Sequence, residues 1–328
     1  VMVVELALPA ILPGLLVSVY YGMQFLRPRF GHGADQGGQR TPWIIGGVGV
    51  LAAGALGAAL SVGLMEQRVW LGIATAVPSF LLIGLGIGSA GTNLLALLAA
   101  RVSTERQAPA GSLVWMMMIF GLAVTGITAG ILLDPYSHTR LVAVTLGVSA
   151  VAMTLTLIGV LGQEAGEKRI PKESDTHFRD VVRELWTDRR MRVFTVFVFA
   201  SMLAYNLQDL ILEPFAGHVF GLTVGQSTQL GGMHHAGALV GMLAVLLGGT
   251  VLARFVTVSV RVWVVGGCIL SGMSLMGLAY GGFRAESWPI AANIFALGLA
   301  NGAFAVAAIG AMMGLAREGG DGSEGVRM

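Results

Sequence analysis

The amino-acid sequence predicts an all-α polytopic membrane protein with about nine transmembrane helices. The chain has 328 residues, of which 55% are hydrophobic and only 12% are charged. Soluble globular proteins carry about 25% charged residues. The mean hydropathy of +0.77 and long uncharged stretches exclude a soluble domain of ordinary composition.

Nine uncharged apolar runs supply the predicted helices. A transmembrane helix needs about 20 predominantly apolar residues to cross the hydrocarbon core. Each run must be helical, because lipid offers no partner for a free backbone N–H or C=O group. In chain order the runs are 6–26, 43–64, 70–100, 111–133, 141–163, 193–212, 228–252, 262–282 and 288–314.

The positive charges predict the orientation of these helices. Of the 20 Lys and Arg residues, 17 lie in the alternate loops 27–40, 101–110, 164–192, 253–261 and 315–328. The opposite loops hold only Arg68, Arg140 and Arg284. Because positive residues are retained in the cytoplasm, we expect the five basic segments to be cytoplasmic. The first residues would then lie on the periplasmic side.

The loop 27–47, RPRFGHGADQGGQRTPWIIGG, resembles the signature G-x-L-A-D-R-x-G-R-R of the major facilitator superfamily. The matching positions are Gly31, Ala34, Asp35, Gly38 and Arg40, and the sequence departs at Gly33, Gln36 and Gln39. In facilitators this cluster latches one conformation, so the resemblance implies a latch formed by Gly31, Asp35, Gly38 and Arg40. The alternative is a solvated turn whose arginines only follow the charge rule.

The same resemblance implies a numbering of the helices. The signature loop follows helix 2 of a twelve-helix facilitator, so the nine runs correspond to helices 2–10. We therefore expect an N-terminal half at 1–163, a cytoplasmic linker at 164–192 and a C-terminal half at 193–328. Most of helix 1, and helices 11 and 12, would be absent from this chain.

The linker contains an amphipathic pattern. Apolar residues recur at helical spacing, at Phe178, Val181, Val182, Leu185 and Trp186. The opposite face is basic, which predicts a helix lying on the cytoplasmic membrane surface. This helix is either a tether between the halves or a partner-docking surface, for which Phe178, Leu185 and Trp186 are the candidates.

Polar residues interrupt the sixth run near its end. Asp209 and Glu213 are four residues apart and share a helix face, and Asn206 precedes them by one turn. Ionisable residues within a membrane helix are costly and therefore indicate function. These three residues form a candidate polar or proton site. The alternative is that the helix ends near Pro214 and leaves both carboxylates in periplasmic water.

Two adjacent histidines lie in the next run. A neutral imidazole can bind a metal, including the magnesium of a chlorophyll. His234 and His235, with Glu213, are therefore the candidate pigment-binding residues. The alternative is that the histidines are hydrogen-bonded packing residues. The sequence predicts no other metal site, because the single cysteine, Cys268, has no Cys or His cluster around it.

Three stretches together resemble the PucC/LhaA family of purple phototrophic bacteria. They are VMVVELALPA at 1–10, the loop 27–47, and ILEPFAGHVFGLTVGQSTQLGGMHH at 211–235. The resemblance covers essentially the whole chain. It implies an inner-membrane facilitator fold that assists assembly of bacteriochlorophyll-containing light-harvesting complexes. The implied partners are antenna polypeptides, the reaction-centre/antenna complex and membrane lipids, with bacteriochlorophyll or carotenoid as cofactor.

Two functions are the main alternatives from the sequence, beside a third in which the protein is a purely structural component of the antenna ring. The first is a non-enzymatic assembly factor that binds antenna polypeptides and delivers pigment to them. The second is a secondary transporter of a hydrophobic small molecule, such as a pigment precursor or lipid. No nucleotide loop or catalytic triad is present in the sequence, so we expect no enzymatic activity. The basic loops are too short and scattered for nucleic-acid binding.

Overall fold

The structure is a computed structural model of the 328-residue chain. It describes the whole chain except residues 1, 4, 10, 28, 32–33, 35–38, 104–105, 165–188, 251–258 and 319–328. The predicted linker helix, with Phe178, Leu185 and Trp186, therefore lies outside the described residues, as do Asp35 and Gly38 of the predicted latch.

The described residues form nine α-helices. Their order is α1 Ile11–Gly22, α2 Thr41–Gln67, α3 Val69–Arg101, α4 Gln107–Leu132, α5 His138–Val160, α6 Arg189–Phe220, α7 Val224–Thr250, α8 Val260–Gly281 and α9 Ile290–Glu318. Short 3₁₀ turns, Met23–Leu26 and Gly282–Arg284, follow α1 and α8. Each helix corresponds to one of the nine predicted runs, so the predicted number of helices is confirmed.

Seven of the described helices are long and apolar enough to cross a membrane. They are Thr41–Gln67, Val69–Arg101, Ala110–Leu132, His138–Val160, Val224–Gly248, Val260–Arg284 and Ile290–Ala308. A shorter apolar helix covers Ile11–Leu26. These lengths follow from composition, because uncharged runs of more than about 20 residues can satisfy their backbone only as helices.

The helices group into two compact units. Unit 1 comprises 1–115, 129–172 and 223–226, and unit 2 comprises 116–128, 173–222 and 227–328. The middle of α4 therefore belongs with α6 to α9, although α4 precedes the linker in sequence. The domain boundaries at 163 and 193 remain a prediction.

Unit 1 is held together by close contact between α2 and α3. A methyl group at Gly54 of α2 would lie 2.7 Å from the carbonyl oxygen of Ser79 on α3. A methyl group at Gly86 of α3 would lie 2.6 Å from the carbonyl oxygen of Gly47 on α2. Small residues thus let the two backbones touch, which is the usual basis of helix packing in membranes.

Unit 2 depends on a similar contact between α7 and α9. Gly237 and Gly241 of α7 face α9, and Gly298 and Gly302 of α9 face α7. The carbonyl oxygen of Ala238 occupies the space that a methyl group at Gly302 would need. Around this contact, apolar residues from α6, α7, α8 and α9 form one buried cluster, namely Leu212, Ala216, Leu230, Leu278, Ile294 and Leu297.

We predict that Gly302→Ala destabilises the protein. The added methyl group must displace backbone of α7, which should lower the free energy of unfolding by about 1–3 kcal/mol. Gly272→Ala is the matched control, since a methyl group there has no atom within 4 Å. It should raise stability by about 0.5–1 kcal/mol through helix propensity. The free energy of unfolding of each variant is measured in mixed detergent micelles. Equal changes in the two variants would contradict the close contact between α7 and α9.

Candidate functional site

The first candidate site is a cluster of helix ends in unit 1. The backbone N–H of Arg40 donates to both carboxylate oxygens of Glu164, at 3.0 Å and 2.8 Å, and that of Thr41 donates at 2.6 Å. Arg40 is the N-cap residue of α2 and provides no side-chain cap itself. Glu164 therefore caps a helix that begins 123 residues earlier in the chain. A carboxylate at this position also interacts favourably with the positive end of the helix dipole.

Two arginine side chains donate hydrogen bonds at the C-terminal ends of neighbouring helices, where the partial charge is negative. The guanidinium of Arg40 donates to the carbonyl oxygen of Ala96, near the C-terminal end of α3. The guanidinium of Arg101 donates to the carbonyl oxygen of Gln163, just beyond α5. Cations are stabilising at the negative ends of helices. One carboxylate and two cations thus join the ends of α2, α3 and α5.

The chain reaches this cluster through a turn after α5. Gly162 has φ of 84°, a left-handed conformation that glycine adopts at helix C-termini with little strain. This turn directs Gln163 and Glu164 toward α2 and α3. Below them, Ile44, Leu97 and Val160 from the same three helices form a buried apolar cluster.

The electrostatic balance at Glu164 favours the ionised carboxylate. Burial alone would raise its pKa, but hydrogen bonds from Thr41 and Arg40 together outweigh burial and lower the pKa below the usual 4.5. Glu164 lies beyond the end of α5, outside the membrane-spanning segments. The carboxylate is thus held as an anion by the helix end that it caps.

The structure describes part of the predicted latch. Arg40 lies in the helix-end cluster, and a methyl group at Gly31 would lie 3.5 Å from Cγ2 of Thr92 on α3. The contacts of these two residues lie within unit 1. Asp35, the carboxylate of the predicted latch, lies outside the described residues. At the N-terminus of α2 the carboxylate is that of Glu164, and the latch role remains a prediction.

The second candidate site lies on α6 in unit 2. The helix continues through Pro214 to Phe220, so the interpretation that it ends near Pro214 is wrong. Proline removes one backbone donor and kinks a helix without always ending it, and in membrane helices neighbouring groups can satisfy the freed carbonyl. Asp209 and Glu213 therefore lie inside the helix, at least one turn before its end.

A carboxylate–imidazole contact joins α6 to α7. Oδ1 of Asp209 lies 3.8 Å from Nε2 of His234. The His234 side chain is 1% exposed, whereas that of Asp209 is 37% exposed. The imidazole is thus enclosed by protein. This favours the packing interpretation of His234 over pigment binding, because a bulky ring could not reach it without rearrangement.

A chain of hydrogen bonds joins α6 to two further helices, α8 and α9. Oγ of Ser271 on α8 donates to Oδ1 of Asn301 on α9 at 2.9 Å. The amide nitrogen of Asn301 donates to Oε1 of Gln208 on α6 at 3.3 Å. Each partner is uncharged, so the chain satisfies polar groups in the core without burying net charge.

The other site residues predicted from the sequence lie near the contact between Asp209 and His234. Asn206 and Glu213 are exposed on the surface of α6. Oε1 of Glu213 lies beside Gly231 of α7. His235 is half-buried, and its ring centroid lies 5.5 Å from that of His234. The structure therefore brings Asp209 and His234 together, and Glu213 lies against α7. Pigment binding at His235 remains a prediction.

Sequence reasoning missed Glu164, Ser271 and Asn301. Glu164 directly follows a predicted apolar run, which was a weak signal of a helix-end residue. Asn301 is a strongly polar side chain within an apolar run, and such residues are costly in membranes. That rule could have identified Asn301, although its partners depend on tertiary packing.

Comparison with known proteins identifies the family. The model of the PUCC protein family matches residues 1–328, the whole chain. The chain belongs to the PucC family. The family resemblance inferred from sequence is thereby confirmed.

Two curated relatives illustrate the extent of the similarity. The chain is 45% identical over 328 residues to the bacteriochlorophyll synthase 44.5 kDa chain of Rhodobacter capsulatus, covering 100% of this chain and 76% of the relative. It is 29% identical over 255 residues to protein PucC of Cereibacter sphaeroides, covering 74% of this chain and 56% of the relative. The chain thus spans little more than half the length of that PucC protein.

A solved structure confirms the fold of this PucC-family chain. The crystal structure of the nucleoside transporter NupG matches 99% of this chain and 78% of NupG, with a TM-score of 0.54 and 15% sequence identity. At this identity the match shows the fold alone. The predicted all-α, polytopic major facilitator fold is confirmed, and the protein is a multi-pass membrane protein.

We predict that Glu164→Gln destabilises this PucC-family protein at neutral pH. Loss of the anionic cap should lower the free energy of unfolding by about 0.5–2 kcal/mol. The exposed Glu286 supplies the control variant Glu286→Gln, which should change stability by less than about 0.5 kcal/mol.

The pH dependence checks the same contact. Because the folded-state pKa of Glu164 lies below its usual value of 4.5, its stabilising effect is complete above that value and is lost as pH falls through the folded pKa. The wild type and Glu164→Gln should therefore converge in melting temperature as the pH falls below 4.5 and through the folded pKa. A constant difference across this range would contradict a role of the carboxylate charge.

Proposed function

We propose that the chain is a non-enzymatic assembly factor for bacteriochlorophyll-containing light-harvesting complexes. The observation that carries the proposal is the match of the PUCC family model over the whole chain. The relative with 45% identity is named as a chain of bacteriochlorophyll synthase, which associates a similar protein with the pigment. We propose that this chain handles pigment or client polypeptides instead of catalysing synthesis.

The proposed location is the bacterial inner, photosynthetic membrane, with the five basic segments in the cytoplasm. The fold supports a multi-pass protein, and the charge distribution supports this orientation. The proposed partners are antenna polypeptides, the reaction-centre/antenna complex and lipids. Bacteriochlorophyll or carotenoid is the proposed cofactor.

The membrane surface of the protein supports contact with apolar partners. On one face of α5, large apolar side chains are exposed, namely Val151, Leu155 and Ile158. Such a face can pack against lipid tails or against another membrane helix, because both are apolar. We propose that antenna helices contact faces of this kind, and that the linker surface at Phe178, Leu185 and Trp186 adds a cytoplasmic contact.

Deletion of the gene in its phototrophic host tests the proposal. We expect the deletion strain to lose most of its antenna complexes, as measured by near-infrared absorbance of membranes. An affinity-tagged copy should restore them and co-purify antenna polypeptides. Normal antenna levels in the deletion strain, together with no antenna polypeptide on the tagged protein, would contradict the proposal.

Paired tryptophan variants refine that experiment. Trp186→Ala should reduce co-purification of antenna polypeptides if the linker docks them. Trp70→Ala is the matched control, because Trp70 is 62% exposed at the opposite end of the spans, and it should leave co-purification unchanged. If Trp186→Ala and Trp70→Ala changed co-purification equally, the linker would not be the docking surface. The result of the gene deletion would still stand.

The α6 residues favour a second candidate function, secondary transport of a hydrophobic molecule. Asp209 of α6 contacts His234, the run 193–212 of this helix is predicted to cross the membrane, and transporters use such carboxylates in proton relays. The probe is a bacteriochlorophyll precursor added to membrane vesicles with an imposed pH gradient. The double variant Asp209→Asn, Glu213→Gln should abolish gradient-driven uptake, whereas Glu286→Gln should not. Uptake that survives the double variant would contradict this function.

A further inference from the structure

Two arginines beyond the end of α1 carry charge that no described residue neutralises. Arg27 and Arg29 are exposed, and within the described part of the chain neither side chain forms an ion pair. Nε of Arg27 donates to Oε1 of Gln24 at 2.5 Å, which leaves both terminal nitrogens of its guanidinium without a described acceptor. Arg40 and Arg101 differ, because their guanidinium groups donate to carbonyl oxygens at helix ends.

Contacts with α3 hold the segment that carries these arginines. Nε2 of Gln24 donates to the carbonyl oxygen of Gly84 on α3 at 3.4 Å. A methyl group at Gly88, one turn further along α3, would lie 3.2 Å from the ring of Phe30 and 3.6 Å from Cγ of Arg27. The two glycines thus let the segment lie directly against α3, and Gln24 orients the guanidinium of Arg27.

The same contacts set the depth of the two arginines in a membrane. Gly54, the middle residue of α2, faces the stretch 79–83 of α3. Gly88 lies about seven residues beyond that level, which at 1.5 Å per residue is about 10 Å. When α2 is centred on a hydrocarbon core with a half-thickness of about 15 Å, Arg27 therefore lies just inside the edge of the core. Arg29 follows toward the same edge, and long arginine side chains extend from such positions to the headgroups.

An exposed aromatic side chain lies beside the arginines. Phe25 is 89% exposed and precedes Arg29 by four residues, a spacing that places both on one helix face. Because α1 runs toward the side predicted to be cytoplasmic, Phe25 lies deeper in the bilayer than Arg29. An apolar ring below a guanidinium group matches the acyl chain and the phosphate of a phospholipid.

This depth favours a lipid phosphate over other anions. A guanidinium binds a phosphate through two parallel hydrogen bonds, and phospholipid phosphates already lie at the edge of the hydrocarbon core. A carboxylate on a partner helix must be carried to the same depth, where an ionised group is costly. A free phosphate ion gains nothing from the exposed ring of Phe25.

We propose that Arg27 and Arg29 bind the phosphate groups of anionic phospholipids in the cytoplasmic leaflet, with Phe25 against an acyl chain. The negative surface of this leaflet attracts each arginine that lies near it, and the phosphates supply acceptors for the guanidinium nitrogens. The lipids thereby anchor the start of the loop 27–47 to the membrane. This inference does not depend on the assembly function, since a chaperone and a transporter can both use bound lipids.

Lipid titration of the full chain tests the site. The protein purified in mild detergent is titrated with phosphatidylglycerol or phosphatidylcholine, and bound lipids are counted by native mass spectrometry. We expect phosphatidylglycerol to bind more tightly, and the double variant Arg27→Gln, Arg29→Gln to weaken its binding about tenfold. Arg68→Gln is the matched control, because Arg68 is also exposed but lies in a loop predicted to be periplasmic. It should leave the binding unchanged.

Further variants separate the acyl-chain contact from the phosphate contact. Phe25→Ala should weaken the binding of both lipids about twofold to threefold, because it removes apolar contact area. Phe283→Ala is its control, since Phe283 is also 89% exposed and should leave the binding unchanged. Size-exclusion profiles check folding. If the double variant misfolds, Arg29→Gln replaces it, because the Arg29 side chain bonds to no other described residue.

Three results would overturn the inference. Unchanged phosphatidylglycerol binding in the arginine variants would show that these side chains do not hold the lipid. An equal loss of binding in Arg68→Gln would show attraction by net charge without a site. Displacement of the lipid by an equal concentration of inorganic phosphate would show a site for the free ion. None of these results bears on antenna levels in the deletion strain, so the assembly function is tested separately.

Discussion

The hydrocarbon core of a bilayer contains no hydrogen-bond partners, and this constraint determines most of the structure. Every apolar run becomes a helix because only a helix satisfies its own backbone. Helices in lipid also gain little from hydrophobic burial, so they associate through close packing. Gly302 of α9 illustrates the consequence, since the carbonyl oxygen of Ala238 fills the space of a missing side chain.

Because the hydrocarbon core offers no hydrogen-bond partners, polar side chains find partners within the protein, and they do so in two arrangements. At the helix-end cluster, the charges of Glu164, Arg40 and Arg101 are matched to the ends of α2, α3 and α5. On α6, uncharged groups form a chain from Gln208 to Ser271, and the carboxylate of Asp209 lies beside an enclosed imidazole. The first arrangement stabilises the ends of helices. The second places polar groups on α6, whose run 193–212 is predicted to cross the membrane, where such groups are costly and therefore indicate function.

The helices could be predicted from sequence because their signal is local. The helix at 70–100 was predicted from the composition of that run alone, and α3 occupies Val69–Arg101. Asp209 was likewise conspicuous as a carboxylate at the end of an apolar run. Its partner was not predictable, because the contact with His234 requires α6 and α7 to pack in one register. Glu164 was missed for the same reason, since its contact with Thr41 joins residues 123 positions apart. The end of α6 was uncertain because Pro214 kinks or ends a helix depending on its surroundings.

The chain belongs to the PucC family and shares the fold of NupG, and we propose that this fold serves here to handle pigment or pigment-binding polypeptides. The most direct measurement is the absorbance spectrum of the protein purified from its phototrophic host in mild detergent. The account predicts a bacteriochlorophyll or carotenoid band that elutes with the protein and shifts to the position of free pigment on denaturation. A colourless protein purified from fully pigmented membranes, with no antenna polypeptide attached, would contradict it.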